Sequence, residues 1–117
     1  MILRALLALG FAFLASSASA DPVTLSGPEI NTALTGKTVE GIHEGATWRQ
    51  EFGTTGATTY TSRGRTDLGS WQVRGNEYCS RWPPSENWDC YVLTRDGDVI
   101  NFVPASGGGA WPARFVN

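Results

Sequence analysis

Three hydrophobic rhythms follow one another along the chain. The first is an apolar run from Ala5 to Leu14, preceded by Arg4 and followed by the small residues Ala15 to Ala20. A charged start, a short apolar stretch and an Ala-x-Ala ending at Ala18-Ser19-Ala20 are the parts of an export signal. The run is shorter than the roughly 20 apolar residues of a spanning helix, so residues 1–20 are expected to be cleaved. No cysteine follows the cleavage site to carry lipid. The mature chain, 21–117, is expected to be a single domain, periplasmic or secreted, with no stable membrane anchor.

The second rhythm is helical. Ser26 and Glu29 have the S-x-x-E spacing of a capping box, and Leu25 and Ile30 hold the two positions of a hydrophobic staple. Ile30, Ala33 and Leu34 continue at helical spacing, and Gly36 stands where a left-handed cap ends such a helix. A short helix over about 27–35 is predicted, and its narrow apolar stripe has to pack on something larger.

After Lys37 the period becomes two. Trp48, Gln50 and Phe52 alternate with Thr47, Arg49 and Glu51, which puts the aromatic residues on one face of a strand. A turn at Gly53-Thr54-Thr55-Gly56 leads to a strand from Thr58 to Arg63, with Tyr60 and Ser62 on one face. Trp71 and Val73 share a face, and Arg74-Gly75-Asn76 returns the chain through Tyr78, Ser80 and Trp82. Pro83-Pro84 ends that strand because proline supplies no ladder donor. Trp88 to Arg95 and Val99 to Val103 form a hairpin around Asp96-Gly97. The glycine-rich tail reads as a loop from which Trp111 and Phe115 dock on the body. The predicted fold class is mainly β: a short N-terminal helix, then a six- to seven-stranded antiparallel meander forming a small barrel or sandwich.

Composition adds a staple. The two cysteines, Cys79 and Cys90, both lie in the exported part, where disulfides persist, and they are expected to pair across one hairpin tip. Closing a loop of about 12 residues stabilises by roughly 3 kcal/mol in the chain-entropy model. Loss of Arg4 leaves eight basic against eleven acidic residues, a net charge of −3. The arginines are spread among acids rather than clustered, so a nucleic-acid partner is set aside.

The series Leu25-Ser-Gly-Pro-Glu-Ile30, Leu34-Thr-Gly36, Trp48 to Phe52, Gly69-Ser-Trp71, Cys79, and Cys90-Tyr-Val92 before Asp96-Gly-Asp98 resembles small secreted proteins of proteobacteria. Those families have no known function. The resemblance covers almost the whole mature chain, implies a periplasmic disulfide-bonded β-domain, and carries over no catalytic residue. It departs at Gly53 to Gly56, where a plain Asp-Gly turn is the pattern. Two shorter likenesses accompany it. Gly69-Ser70-Trp71 is similar to the G-x-W of lipocalins, although there the motif lies on the first strand. Ser106 to Ala110 is similar to the small-residue loop that bacterial lysozyme inhibitors insert into their target, although here it lies near the C-terminus.

Candidate chemistry is sparse. His43 is the only histidine, and no nucleophile motif accompanies it. Glu40, His43 and Glu44 do not share one strand face, so they read as surface residues rather than metal ligands. Asp96-Gly97-Asp98 lacks the ligand spacing of a calcium loop and reads as a turn. No catalytic residue, metal or cofactor is therefore expected. The arginines at 49, 63, 65, 74, 81 and 95 are expected to pair with acids such as Glu51, Glu77 and Asp89, with an anion-binding stripe as the alternative. The stretch from Cys79 to Cys90 holds Arg81, Trp82 and Trp88 on a proline-stiffened, crosslinked loop, a candidate contact site for a protein or glycan. The competing reading pairs Trp82 with Trp88 across the hairpin to cover one end of the core. The functional expectation is a non-enzymatic binding or interaction module at the cell envelope; the alternatives are an inhibitor of a secreted enzyme such as a lysozyme or protease, and a small hydrolase.

Overall fold

The computed structural model describes residues 21–116; the expected signal segment, 1–20, lies outside the described residues. The elements are β1 (Val23–Thr24), α1 (Gly27–Leu34), β2 (Thr38–His43), β3 (Ala46–Phe52), β4 (Ala57–Ser62), β5 (Arg65–Arg74), β6 (Glu77–Arg81), β7 (Asp89–Asp96), β8 (Val99–Pro104) and β9 (Trp111–Phe115). From β2 onward each strand pairs antiparallel with the next. The last returns to the first through Val39–Phe115 and Glu40–Arg114. The ring is closed, an eight-stranded up-and-down barrel, and β1 lies outside it against β7.

The tail predicted as a loop is the strand that closes the ring. Its Pro112 costs no ladder bond, for a reason visible in the pairing. The Phe115 N–H donates toward Asp98 and that of Val116 toward Thr38, so by alternation the Pro112 nitrogen faces β2. That position lies past the Glu40–Arg114 pair, where the β2–β9 ladder has already ended.

Two hairpin turns also escaped the sequence reading. Glu44-Gly45 joins β2 to β3 and Arg63-Gly64 joins β4 to β5, with φ of 49° and 77° in the first and 52° and 74° in the second. Positive φ at both central residues suits the right-handed twist of paired strands, a position where Asn or Asp is the usual signal. Arg63 therefore belongs to a turn, and β5 begins at Arg65. At Asp96-Gly97-Asp98 the turn residues are Gly97 and Asp98, with Gly97 alone at positive φ.

The helix plugs one end of the barrel. Ser26 Oγ accepts from the Glu29 N–H and Glu29 Oε1 accepts from the Ser26 N–H, completing the predicted capping box. The Ser26 N–H, and after it the Ser26 hydroxyl, hold the Glu29 carboxyl below its ordinary range. Leu25, Ile30 and Leu34 are buried with Val39, Phe52, Leu93 and Ile100 in one core. Gly27 approaches the β5–β6 turn so closely that a Cβ there would lie 2.1 Å from the Gly75 carbonyl oxygen. Its N–H donates to Asn76 Oδ1 at 2.8 Å, tying the helix start to the barrel rim.

Pairing around the ring is uneven. β6 and β7 share three residue pairs, centred on Cys79–Cys90, because the far half of β7 turns to β1 instead. β2 and β9 share two. The barrel thus consists of a five-stranded wall, β2 to β6, and a three-stranded wall, β7 to β9, joined along two short seams. The predicted disulfide is present and crosses the first seam, with a Cα–Cα distance of 4.0 Å.

Candidate functional site

Every second side chain of a barrel strand points inward. Near the helix these residues fill the interior; toward the opposite end they do not. Trp48, Gln50, Tyr60, Asp67, Tyr78, Ser80, Tyr91, Phe102 and Trp111, with Trp82 folding in from just beyond β6, line a mouth-like cavity of about 290 Å³ open to solvent. That is at the lower end of the roughly 300–1,000 Å³ typical of small-molecule sites.

The lining is largely aromatic and interlocked. Trp48 stacks on Tyr60 with centroids 5.8 Å apart, and Tyr60 meets the Trp82 ring at 6.1 Å. Tyr78 contacts Phe102 at 5.4 Å and Tyr91 at 5.9 Å below them. Two glycines make room for the tryptophans. A Cβ at Gly41 would lie 2.5 Å from the Trp48 ring, and one at Gly69 would lie 2.6 Å from that of Trp82.

A polar chain runs beneath and beside these rings. Gln50 Nε2 donates to Thr58 Oγ1 at 3.0 Å and to the Tyr78 hydroxyl at 2.9 Å, and Thr58 Oγ1 donates to the Glu51 carbonyl. Trp82 Nε1 donates to Ser80 Oγ at 3.2 Å. The buried polar residues Gln50, Thr58 and Ser80 are thus all hydrogen-bonded. Trp48 Nε1 differs: it is buried and has no partner among the described residues. An unmet buried donor of this kind costs about 1–3 kcal/mol. Burial raises the phenol of Tyr78, and burial followed by the Asp67 charge raises that of Tyr60. The Tyr91 phenol is raised by burial first and then by Asp89.

The contact loop proposed from sequence divides between two faces of the wall. Trp82 belongs to the cavity. Trp88 lies outside, clamped between the guanidinium groups of Arg74 and Arg81 at 5.0 and 5.1 Å from its ring centre. The two tryptophans therefore do not pair across the hairpin. On the outer face Cys79 stands opposite Cys90 and is fully buried, one residue pair from the Arg81 and Trp88 ends of the loop.

The other candidate groups are placed as follows. His43 is exposed, its ring tilted against Trp111 with centroids 4.2 Å apart and its Nε2 3.6 Å from Glu44 Oε1. Of the ion pairs expected for the arginines, Arg49 reaches Glu51 at 3.9 Å but Glu40 more closely, at 3.0 Å. Arg65 pairs with Asp67, Arg114 with Asp98, and Arg95 lies over Phe115. They do not line up as one stripe. Leu93 of β7 is fully buried inside, which puts its neighbour Val92 on the outer side. Among the described residues no group of three His, Cys, Asp or Glu stands close enough to hold a metal ion, and no helix is long and apolar enough to cross a membrane. A second groove, of about 570 Å³, runs between the helix flank and the wall at Lys37, Arg95 and Phe115 and is not ringed by aromatic residues.

Of the residues lining the cavity, sequence reasoning singled out Trp82 alone as a site candidate; Trp48, Gln50, Tyr60, Asp67, Tyr78, Ser80, Tyr91, Phe102 and Trp111 were missed. Their alternation announces an inward face, but whether that face is filled depends on barrel closure and on how far the helix reaches. No protein-family model, curated protein or solved structure matches the chain.

Proposed function

We propose that this protein is an exported binding module whose barrel mouth takes a small, flat or apolar molecule, without chemical turnover. The observation that carries the reading is the half-open cavity between aromatic side chains, with its opposite end closed by the helix. Its polar groups are few and fixed by hydrogen bonds, which suits orientation of a ligand. The disulfide is compatible with an oxidising compartment, in keeping with an export signal.

The test separates the cavity from the outer loop surface. The neutral fluorescent probe N-phenyl-1-naphthylamine is titrated into the mature protein and into the Trp82→Ala and Trp88→Ala variants. Saturable binding to the parent, weakened about ten-fold by Trp82→Ala and unchanged by Trp88→Ala, is the expected result. No saturable binding, or loss through Trp88→Ala alone, overturns it.

A second reading, inhibition of a secreted enzyme, draws on the β8–β9 loop. Residues 105–110 are exposed, and a Cβ at Gly107, Gly108 or Gly109 would meet nothing within 4 Å. Such a projecting, slender loop suits insertion into another protein's cleft. Loss of lysozyme or protease inhibition on replacing Gly108 with Trp would mark this reading as the correct one.

A further inference from the structure

We propose, resting on the cavity reading above, that the ligand is a small organic cation, of the quaternary or tertiary ammonium class, held by the aromatic rings with Asp67 as its counter-ion. The lining combines indole and phenol faces with a carboxylate, and among the described residues it contains no lysine or arginine. Aromatic faces attract a cation within about 6 Å, most strongly where water is excluded, and several faces around one cavity form a cage for an alkylated ammonium group. Trp48 stacks on Tyr60 at 5.8 Å and Tyr60 meets Trp82 edge to face at 6.1 Å, so the three rings make one contiguous aromatic wall of the cavity. Asp67 stands beside Tyr60 in the barrel register, on the neighbouring strand, at the mouth.

A neutral or anionic guest would gain nothing from the Asp67 carboxylate, which is itself 44% exposed. A cation uses it. The one basic group on Asp67 is Arg65, at 3.2 Å and 81% exposed, outside the lining. Arg63, at the same rim, donates instead to the Glu44 carbonyl oxygen at 3.2 Å. Arg65 is therefore a competitor for the carboxylate, and removing it should free Asp67 for the guest.

The experiment compares benzyltrimethylammonium with its neutral isostere neopentylbenzene, by tryptophan fluorescence and calorimetry on the mature protein. The cation is expected to bind about ten-fold or more tightly than the isostere. Asp67→Asn should remove most of that preference, while Arg65→Ala should increase cation affinity about two- to five-fold. Circular dichroism checks each variant, and should Asp67→Asn not fold, the parent's cation preference and Arg65→Ala decide the question. If neopentylbenzene binds as well as the cation, the ammonium assignment falls while the cavity reading stands. If neither they nor N-phenyl-1-naphthylamine binds, both fall.

Discussion

At the scale of single residues, the molecule depends on where polar atoms are admitted to an apolar interior. Tyr78 is the clearest case, buried to 2% exposure with its hydroxyl accepting from Gln50. Its phenol is raised from an ordinary value of 10.0 by burial, so the folded state holds the proton more tightly than the unfolded state does. The resulting stability is fully present below pH 10 and is lost as pH rises through the folded value, because the unfolded chain ionises first. Tyr60 and Tyr91, also raised, act in the same direction. Urea unfolding measured between pH 8 and 11 should therefore show stability falling above about pH 10, less steeply in Tyr78→Phe. At pH 7 that variant should be destabilised by about 1–3 kcal/mol, since Gln50 loses one of its two partners. An equal alkaline slope in both proteins would count against the assignment. Gln50 itself illustrates a limit of reading sequence: its alternation with Trp48 and Phe52 placed it inward, but only the closed ring brings Thr58 and Tyr78 to its amide.

Among the elements, those with local chemical signatures were legible and those defined by long-range pairing were not. The helix is encoded within a few residues: Ser26, Glu29, Leu25 and Ile30 are close in sequence and in space. Ser26→Ala should remove one cap bond and cost about 1 kcal/mol in thermal or urea unfolding, with Ser26→Asp restoring it. A loss that the aspartate does not rescue would point to packing rather than capping. β9 shows the opposite situation. Pro112 and the preceding glycines argue against a strand locally, and only its place between β8 and β2 supplies partners. The Glu44-Gly45 and Arg63-Gly64 turns were hidden because their first residues are poor formers of positive φ, overridden by the strands they join. The division of Trp82 and Trp88 was also beyond sequence, since Pro83-Pro84 separates the two residues and resets which face each one meets.

For the whole molecule, the expected meander proved correct in kind and short by one or two strands of the eight in the ring, and the difference decides whether the ring closes. Closure turns the inward aromatics from a sheet face into a chamber. The disulfide acts at this scale because it ties the two walls together at a ladder of only three pairs. Reducing it, or the Cys79→Ser and Cys90→Ser double variant, should lower stability by roughly 3 kcal/mol in equilibrium urea unfolding. Cavity binding should weaken under the same treatment. An unaltered urea midpoint would mean that β-pairing alone secures that seam.

The other seam has no such tie. β2 and β9 part beyond Glu40–Arg114, and from there to the rim the gap is bridged by the His43–Trp111 ring contact. Mechanically the barrel is a clasp, with a covalent pivot on one side and a side-chain latch on the other. Trp111→Ala should therefore loosen the β2–β9 seam and leave the β6–β7 seam intact, as read by amide hydrogen exchange.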